Sequence, residues 1–341
     1  MRRLLAVCAA VLFVAVSCAA PPDKAPEPED RAFSPARYLT AEGVGATEAE
    51  ARREALAALA GIFESRVYSE TASAAASFVT EGAPEAFEKS VESRVRIVSS
   101  VRLRGARIGS IRRDEKSGLF HALAVLDRRQ AAREWSDQLV MIDTRMNAEM
   151  AALSGLSGRL VRMGGLNRIL AAALEKAALR SRLRVIGMPA AGAEDPDLQP
   201  IADEAAAIRS AAEFFVDITG DRAAAVAARI EQALGAEGLA VAREPAQAAG
   251  AVNGSVETVG LDLGNRDVHF VRMTLRMTVV DVDTGTQVAA ISEDVRKGHV
   301  DEKEAVRMAA EALSDRAAER LLAALGLMGV SQADRSPQRR P

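Results

Sequence analysis

The segment YLTAEGVGATEAE, residues 38–50, decides the fold of the first half of this chain of 341 residues. Its opening residues predict a strand that ends at the G-V-G of residues 43–45. Thr47 and Glu50 then form a capping box, in which the two side chains satisfy free backbone N–H groups at the start of a helix. A strand followed at once by a capped helix predicts a compact α/β unit over residues 37–127.

The helix that Thr47 opens is predicted to bury one face. Small and apolar side chains recur there at intervals of three or four residues, which is the spacing of one face of a helix. The members of this stripe are Ala51, Ala55, Ala58, Leu59, Ile62 and Phe63. Arg52, Arg53 and Glu54 fall on the opposite, solvent-facing side.

The rest of this unit is predicted to be mostly strand. Small residues followed by glycine and proline over residues 68–89 indicate a mobile loop or a weak strand. Valines that alternate with arginines over residues 90–103 predict a half-exposed strand, which residues 106–111 continue. The D-E-K-S-G of residues 114–118 predicts a turn, and residues 119–126 predict a closing strand.

The closing strand carries the sequence HALAVLD at residues 121–127. Together with YLTAEGVG at residues 38–45 and the alanine-rich helix from Thr47, it resembles the Lpp-twenty lipoprotein family, whose domain is shared with the N-terminal part of flagellar assembly protein T. The resemblance covers residues 37–127 and is a pattern of small and apolar positions. It implies an envelope lipoprotein, commonly of the outer membrane, and it brings no catalytic residues.

The N-terminus has the layout of a secretory signal peptide over residues 1–17: two arginines, an apolar run over residues 4–16, and small residues before Cys18. The A-V-S-C of residues 15–18 resembles the lipobox of bacterial lipoproteins, with Ala15 where leucine is usual. Cys18 is therefore expected to carry acyl chains such as palmitate. Two alternatives stay open: ordinary cleavage that leaves a free thiol, and an uncleaved anchor, for which the apolar run is short.

Composition excludes some classes of partner. The formal net charge is −3, and loss of the signal peptide would remove two further arginines, so neither nucleic acid nor a polybasic membrane contact is expected. Cys8 would leave with the signal peptide, so the mature chain would hold no pair of cysteines for an internal disulfide. The proline-rich residues 18–36 predict an extended, disordered tether that follows the anchor.

Residues 128–183 are predicted to form two helices joined near the glycines at positions 155, 158, 164 and 165. A narrow apolar seam runs along the first helix: Trp135, Leu139, Ile142, Met146, Met150 and Leu153. The seam can close inside the chain, as seams of this length commonly do, or it can dock a partner or a second copy. Its first four members are the candidate interaction residues. Residues 184–212 predict a linker with a short helix.

Residues 213–326 predict a second α/β domain, with a strand–helix–strand unit, three antiparallel strands and a long final helix capped by Asp301 and Glu304. Alanines and larger apolar residues are expected on the inner sides of its helices, Ala225, Ala228, Ile230 and Leu234 in the first and Ala305, Met308, Ala309, Ala312 and Leu313 in the last. This order is similar to the periplasmic domains of envelope-assembly lipoproteins. Residues 327–341 predict a disordered tail.

No motif for catalysis, a metal or a cofactor is legible in the sequence. The three histidines, His121, His269 and His299, lie in separate predicted elements. The D-V-D-T-G of residues 281–285 is faintly like a calcium loop, but a hairpin turn explains it. The G-V-G of residues 43–45 lacks the third glycine and the lysine of a phosphate loop.

The sequence thus predicts an α+β fold, with two α/β sandwich-like domains joined by a helical hairpin after a lipoprotein signal peptide. We expect a non-catalytic assembly or scaffold factor, lipid-anchored and facing the periplasm, that contacts envelope proteins or itself. The alternative is a periplasmic module that binds a small ligand or a cell-wall fragment. A concave pocket around Asp217, Arg272 and Glu293 would favour that alternative.

Overall fold

The computed structural model describes residues 32–79, 85–99, 103–190, 196–262, 264 and 267–327. The predicted signal peptide, Cys18 and most of the predicted tether and tail lie outside the described residues. In chain order the strands are β1 (Tyr38–Gly45), β2 (Arg107–Arg113), β3 (Phe120–Asp127), β4 (Glu213–Gly220), β5 (Ala240–Val241), β6 (Gly250–Leu261), β7 (His269–Asp281) and β8 (Gln287–His299). The helices are α1 (Glu48–Ala76), α2 (Glu85–Ser99), α3 (Arg128–Leu153), α4 (Arg159–Val185), α5 (Gln199–Ala211), α6 (Ala223–Ala236) and α7 (Glu302–Ala324). The α+β fold is confirmed.

The first sheet is antiparallel, with strand order β1-β3-β2, and α1 packs across it. The predicted capping box is present, since the Thr47 side chain and the Glu50 side chain each accept from the other residue's backbone N–H. Gly43 and Gly45 lie very close to this helix. A Cβ on Gly43 would overlap the backbone of Ala55, and a Cβ on Gly45 would overlap that of Ala51. The G-V-G of β1 therefore serves close strand–helix packing.

The buried stripe of α1 differs in part from the prediction. Ala51, Ala55, Leu59 and Phe63 are fully buried, and the row continues at intervals of four through Val67, Thr71 and Ala75. Ile62 is 40% exposed and Ala58 is only partly buried, because both lie beside this single row. The helix also continues to Ala76, so the loop or weak strand expected from residue 68 onward is wrong there.

The strand predicted over residues 90–103 is also wrong, because residues 85–99 form α2. Phe87, Val91 and Val95 are buried at intervals of four residues, which a helix brings onto one face. The alternation of valine and arginine suggested a period of two, but the buried phenylalanine upstream fixes the helical period. These side chains pack against the middle of α4 and against α5.

Helix α4 passes through all three hydrophobic cores of the described chain. Its first turn, with Leu160 and Met163, packs in the core of the second sheet. Its middle packs against α2, α3 and α5, and its last turns, with Leu179 and Leu183, pack under the first sheet and α1. The predicted helical hairpin is thus the part of the chain that holds the two sheets together.

The second sheet has the order β5-β4-β6-β7-β8. Strands β5, β4 and β6 run parallel, and β6, β7 and β8 run antiparallel, as the predicted strand–helix–strand unit and two hairpins require. Helices α6 and α7 pack on one face of this sheet. Ala225 and Ala228 of α6 are exposed, contrary to the prediction, because Val226, Ile230, Ala233 and Leu234 form its inner side.

Two predicted disordered segments are ordered at the ends that the structure describes. Phe33, from the predicted tether, packs edge-on against Tyr38 with ring centroids 5.2 Å apart. Leu327, the first residue of the predicted tail, is buried in the core of the second sheet. Among the described helices, none is both long enough and apolar enough to cross a membrane.

Candidate functional site

The turn between β7 and β8 holds the start of α4. Asp281 is fully buried, and its Oδ2 accepts hydrogen bonds from the backbone N–H groups of Leu160 (2.8 Å) and Val161 (3.1 Å). Its Oδ1 accepts from the backbone N–H and the hydroxyl of Thr284, both at 3.1 Å. Gly158 precedes the helix with a φ of 90° and lies against the same carboxylate, where a Cβ would collide with it. Asp281 thus caps α4 from another part of the chain.

Asp283 completes this arrangement, which we term the hairpin clamp (Asp281, Asp283 and Thr284 on the start of α4). Its carboxylate accepts two hydrogen bonds of 2.8 Å from the Arg159 guanidinium and one of 3.1 Å from the Arg159 backbone N–H. The Arg159 guanidinium holds the pKa of Asp283 below its usual range, although burial opposes this shift. The two carboxylates of the D-V-D-T-G segment are therefore engaged by protein donors.

Buried arginines tie the other elements to α4. Arg94 of α2 donates to the carbonyl oxygens of Asn167 (3.0 Å) and Gly326. Burial lowers its pKa to about 10, with repulsion from Arg209 adding to the shift. Arg182 donates to the Val98 carbonyl at 2.8 Å, and burial lowers its pKa to about 10 as well. Both guanidinium groups stay charged at neutral pH, and each donates to a carbonyl at the C-terminal end of a helix, Gly326 after α7 for Arg94 and Val98 of α2 for Arg182.

Three of the four candidate interaction residues, Trp135, Leu139 and Met146, are buried, and Ile142 is partly buried, so the α3 seam packs inside the chain, which is one of the two alternatives that the sequence left open. Trp135 and Leu139 lie in the core of the first sheet, and the Trp135 ring packs edge-on against Phe63 at 5.7 Å. Met146 is buried against α2, α4 and α5, and Ile142 is partly buried between these two cores. The seam closes inside the chain because both the first sheet and α4 lie against it.

The three residues that would mark a ligand pocket in the second domain do not converge. Glu293 pairs in register with buried Leu275, so it lies on the helix-covered face, where it forms a 3.0 Å ion pair with Arg320 of α7. Arg272 lies on the opposite face, because its neighbours Val271 and Met273 point into the core. Asp217 shares that opposite face but pairs with Asn253 near the start of β6, whereas Arg272 pairs with Val259 near the end of that strand.

The side of the second sheet that α6 and α7 leave uncovered carries charges of both signs, and we term it the open face. Its side chains lie in cross-strand rows: Asn253 with Thr278, Ser255 with Arg276 and Ser292, Glu257 with Thr274 and Asp294, and Val259 with Arg272 and Arg296. Most of them are exposed, and Arg272 forms a 3.0 Å ion pair with Asp294.

A cavity of about 300 Å³ lies elsewhere, between α1, α3, α4 and the start of α5. Phe78, Met146 and Leu198 line it together with Lys176. The Lys176 ammonium group is almost fully buried and forms a 2.5 Å ion pair with Asp143. Sequence reasoning could not find this cavity, because it is made by helices from four separate segments.

The histidines occupy ordinary structural positions. His121 Nδ1 lies 2.7 Å from the Glu42 carboxylate, which also pairs with Arg112 across the first sheet. His269 and His299 lie opposite each other in the β7–β8 ladder, and His299 Nδ1 accepts from the Asp301 backbone N–H at 3.0 Å. In the part of the chain that the structure describes, no three histidine, cysteine or acidic side chains are grouped so as to hold a metal ion.

Comparison with known proteins gives only distant likenesses. No family model matches the chain, and no curated protein matches it significantly, so the resemblance to the Lpp-twenty family stays a prediction. Among solved structures, a proposed lipoprotein of Caulobacter crescentus is similar at 16% identity with a TM-score of 0.26, over 33% of this chain and 87% of its own. A minor lipoprotein of Acinetobacter baumannii is similar at 13% identity with a TM-score of 0.27, over 33% and 94%.

A secreted protein of Helicobacter pylori is similar over 84% of this chain and 98% of its own, at 12% identity with a TM-score of 0.31. Each of these TM-scores is too low to carry an argument about this chain.

Proposed function

We propose that this protein is a non-catalytic lipoprotein of the bacterial envelope, anchored through Cys18, that acts as an assembly or scaffold factor through protein–protein contacts. The anchor is proposed from the signal-peptide layout and the A-V-S-C of residues 15–18. The outer membrane, with the folded part facing the periplasm, is the proposed location.

The observation that most supports a contact function is the way in which the second sheet is covered. Its helices pack on one face, and the open face carries exposed charges of both signs in rows across three strands. Surfaces of this kind suit protein partners, because small ligands are held in concave sites with converging polar groups.

The cavity beside Lys176 favours a second candidate function, binding of a small ligand. Its volume lies at the lower end of the range of ligand sites. A ligand that binds there would raise the midpoint of thermal unfolding of the purified protein in proportion to the logarithm of its concentration.

The anchor is tested by growing cells that produce the full chain with an alkyne-labelled fatty acid. The unchanged protein is expected to incorporate the label and to sediment with membranes, whereas Cys18→Ala is expected to lose both properties. Cys8→Ala is the matched control and keeps both, because this residue lies within the predicted signal peptide. Equal labelling of the Cys18→Ala variant would contradict the anchor.

The scaffold role is tested by cross-linking intact cells, extracting the protein in mild detergent and identifying cross-linked peptides by mass spectrometry. We expect intermolecular cross-links from the second domain to a recurring set of envelope proteins or to a second copy. Cross-links confined to single chains, together with a ligand-dependent shift of the unfolding midpoint, would replace the scaffold role by the ligand-binding function.

A further inference from the structure

Strand β8 is the longest unpaired strand edge in the described part of the protein. It has 13 residues, whereas the other edge strands, β1, β2 and β5, have 8, 7 and 2. Its inner side pairs with β7, and no described strand pairs with its outer side. A long free edge exposes backbone N–H and C=O groups, which pair readily with another strand unless the edge is protected.

The charges of β8 are of opposite sign on the two sides of Val295. The sequence E-D-V-R-K, residues 293–297, places two acidic residues before Val295 and two basic residues after it. When two copies of this strand pair antiparallel about a two-fold axis at Val295, Asp294 lies opposite Arg296 of the second copy, and Glu293 lies opposite Lys297. Each of these four residues then faces an opposite charge, and each pairing occurs twice.

Only this register is complementary. When two copies of one strand pair antiparallel, residues whose backbone N–H and C=O groups point outward must lie opposite each other. The two-fold axis can therefore pass through a residue but not between two residues, so alternative registers shift the axis by whole residues. An axis at residue 294 would set Asp294 against its own copy, and an axis at residue 296 would do the same to Arg296. Like charges directly opposite each other destabilise a sheet, so both neighbouring registers are disfavoured.

The basic half of this segment is available for such pairing. Within the described residues, neither Arg296 nor Lys297 forms an ion pair, while the acidic residues contact Arg272 and Arg320 of their own chain at 3.0 Å. The Asp294 carbonyl oxygen accepts a 3.2 Å hydrogen bond from the exposed side chain of Arg316, which a second copy would replace with a backbone donor.

From these observations we propose that the protein self-associates through β8, so that two five-stranded sheets join into one continuous sheet in which residues 293–297 pair antiparallel with their own copy. We propose a second copy of the chain as the partner of β8 because the charge pattern of residues 293–297 is complementary to itself in the antiparallel arrangement. This inference deepens the proposed function by naming a partner. It rests on that function only in taking protein–protein contact as the role of this surface.

The test uses the full chain extracted from membranes in detergent, with its association state measured by sedimentation velocity over a range of concentrations. The unchanged protein is expected to form dimers. Arg296→Asp sets aspartate against aspartate, and Asp294→Arg sets arginine against arginine, so each variant alone is expected to weaken the dimer about tenfold or more. An equimolar mixture of the two variants is expected to form mixed dimers, since both charge pairs are then restored.

Glu257→Arg is the matched control, because it reverses a charge on the open face away from β8 and is expected to leave the dimer unchanged. Each variant's unfolding midpoint is compared with that of the unchanged protein, so that lost folding is distinguished from lost association. If the unchanged protein is monomeric, or if the mixed variants do not associate while both are folded, the inference is overturned.

Membrane anchoring is measured in the same preparations. An anchored monomer would overturn self-association and leave the proposed function standing. A protein that forms dimers but does not incorporate the labelled fatty acid would overturn the anchored function and leave the β8 contact standing.

Discussion

The two sheets of this protein differ in how far their faces and edges are covered by other elements. In the first sheet, α1 packs so closely that Gly43 and Gly45 have no room for a side chain, and the opposite face carries Phe33 and the Glu42–His121–Arg112 group. In the second sheet, one face is covered by α6 and α7, while the open face and the β8 edge have no covering element among the described residues. The first sheet is thus built for internal packing, and the second leaves a surface for contact.

The largest expected effect comes from the close packing of the first sheet. In Gly43→Ala the new Cβ would overlap the backbone of Ala55, so α1 must move away from β1. We expect the free energy of unfolding to fall by about 3 kcal/mol or more, measured by chemical denaturation followed by circular dichroism. The β8 contact should survive wherever the protein is still folded.

Gly61→Ala is the matched control for this change. Gly61 lies in the same helix, and a Cβ there meets no other group within 4 Å. Because alanine favours helix more than glycine does, the free energy of unfolding of this variant is expected to rise by about 1 kcal/mol. Equal losses in both variants would show that the effect belongs to the helix and not to its contact with β1.

A smaller effect is expected from the hairpin clamp. Asp281→Ala removes the acceptor of four hydrogen bonds and leaves the backbone N–H groups of Leu160 and Val161 buried without a partner. We expect a loss of about 2–3 kcal/mol in the free energy of unfolding. The loss should be accompanied by faster hydrogen exchange at the start of α4, because the second sheet no longer holds that end.

Asp301→Ala separates this long-range cap from an ordinary one. Asp301 also caps a helix, accepting from the backbone N–H groups of Lys303 and Glu304, but it is exposed and local in sequence. Its loss is expected to cost about 1 kcal/mol. If the two substitutions cost the same, the burial and the long-range contact of Asp281 add nothing to stability.

The sequence predicted the elements that local patterns define. The capping box at Thr47, the Asp301 cap, the strands of both sheets and the α3–α4 hairpin all follow from spacing within a few residues. Helix α2 was missed because valines alternating with arginines favour a strand, and only Phe87 shows the helical period. Local patterns therefore predicted most elements, but they failed where two periods compete in one segment, at residues 68–76 of α1 and for the inner side of α6.

The long-range features could not be predicted in this way. The D-V-D-T-G turn was found, but its role as a cap on α4 depends on contacts across about 120 positions of the chain. The α3 seam was found as well, but its burial is decided by the first sheet and α4. The free edge of β8 became visible only once the strand order was known, although its charge pattern is present in the sequence.

The central claim is that the β8 edge of the second sheet is a contact surface and that the edges of the first sheet are not. The most direct measurement is amide hydrogen exchange of the full chain in detergent at several protein concentrations, with the amides of β1 and β8 compared. We expect exchange in β8 to slow as concentration rises, while exchange in β1 stays constant. Exchange in β8 that is fast and independent of concentration, while the protein stays folded, would contradict the claim.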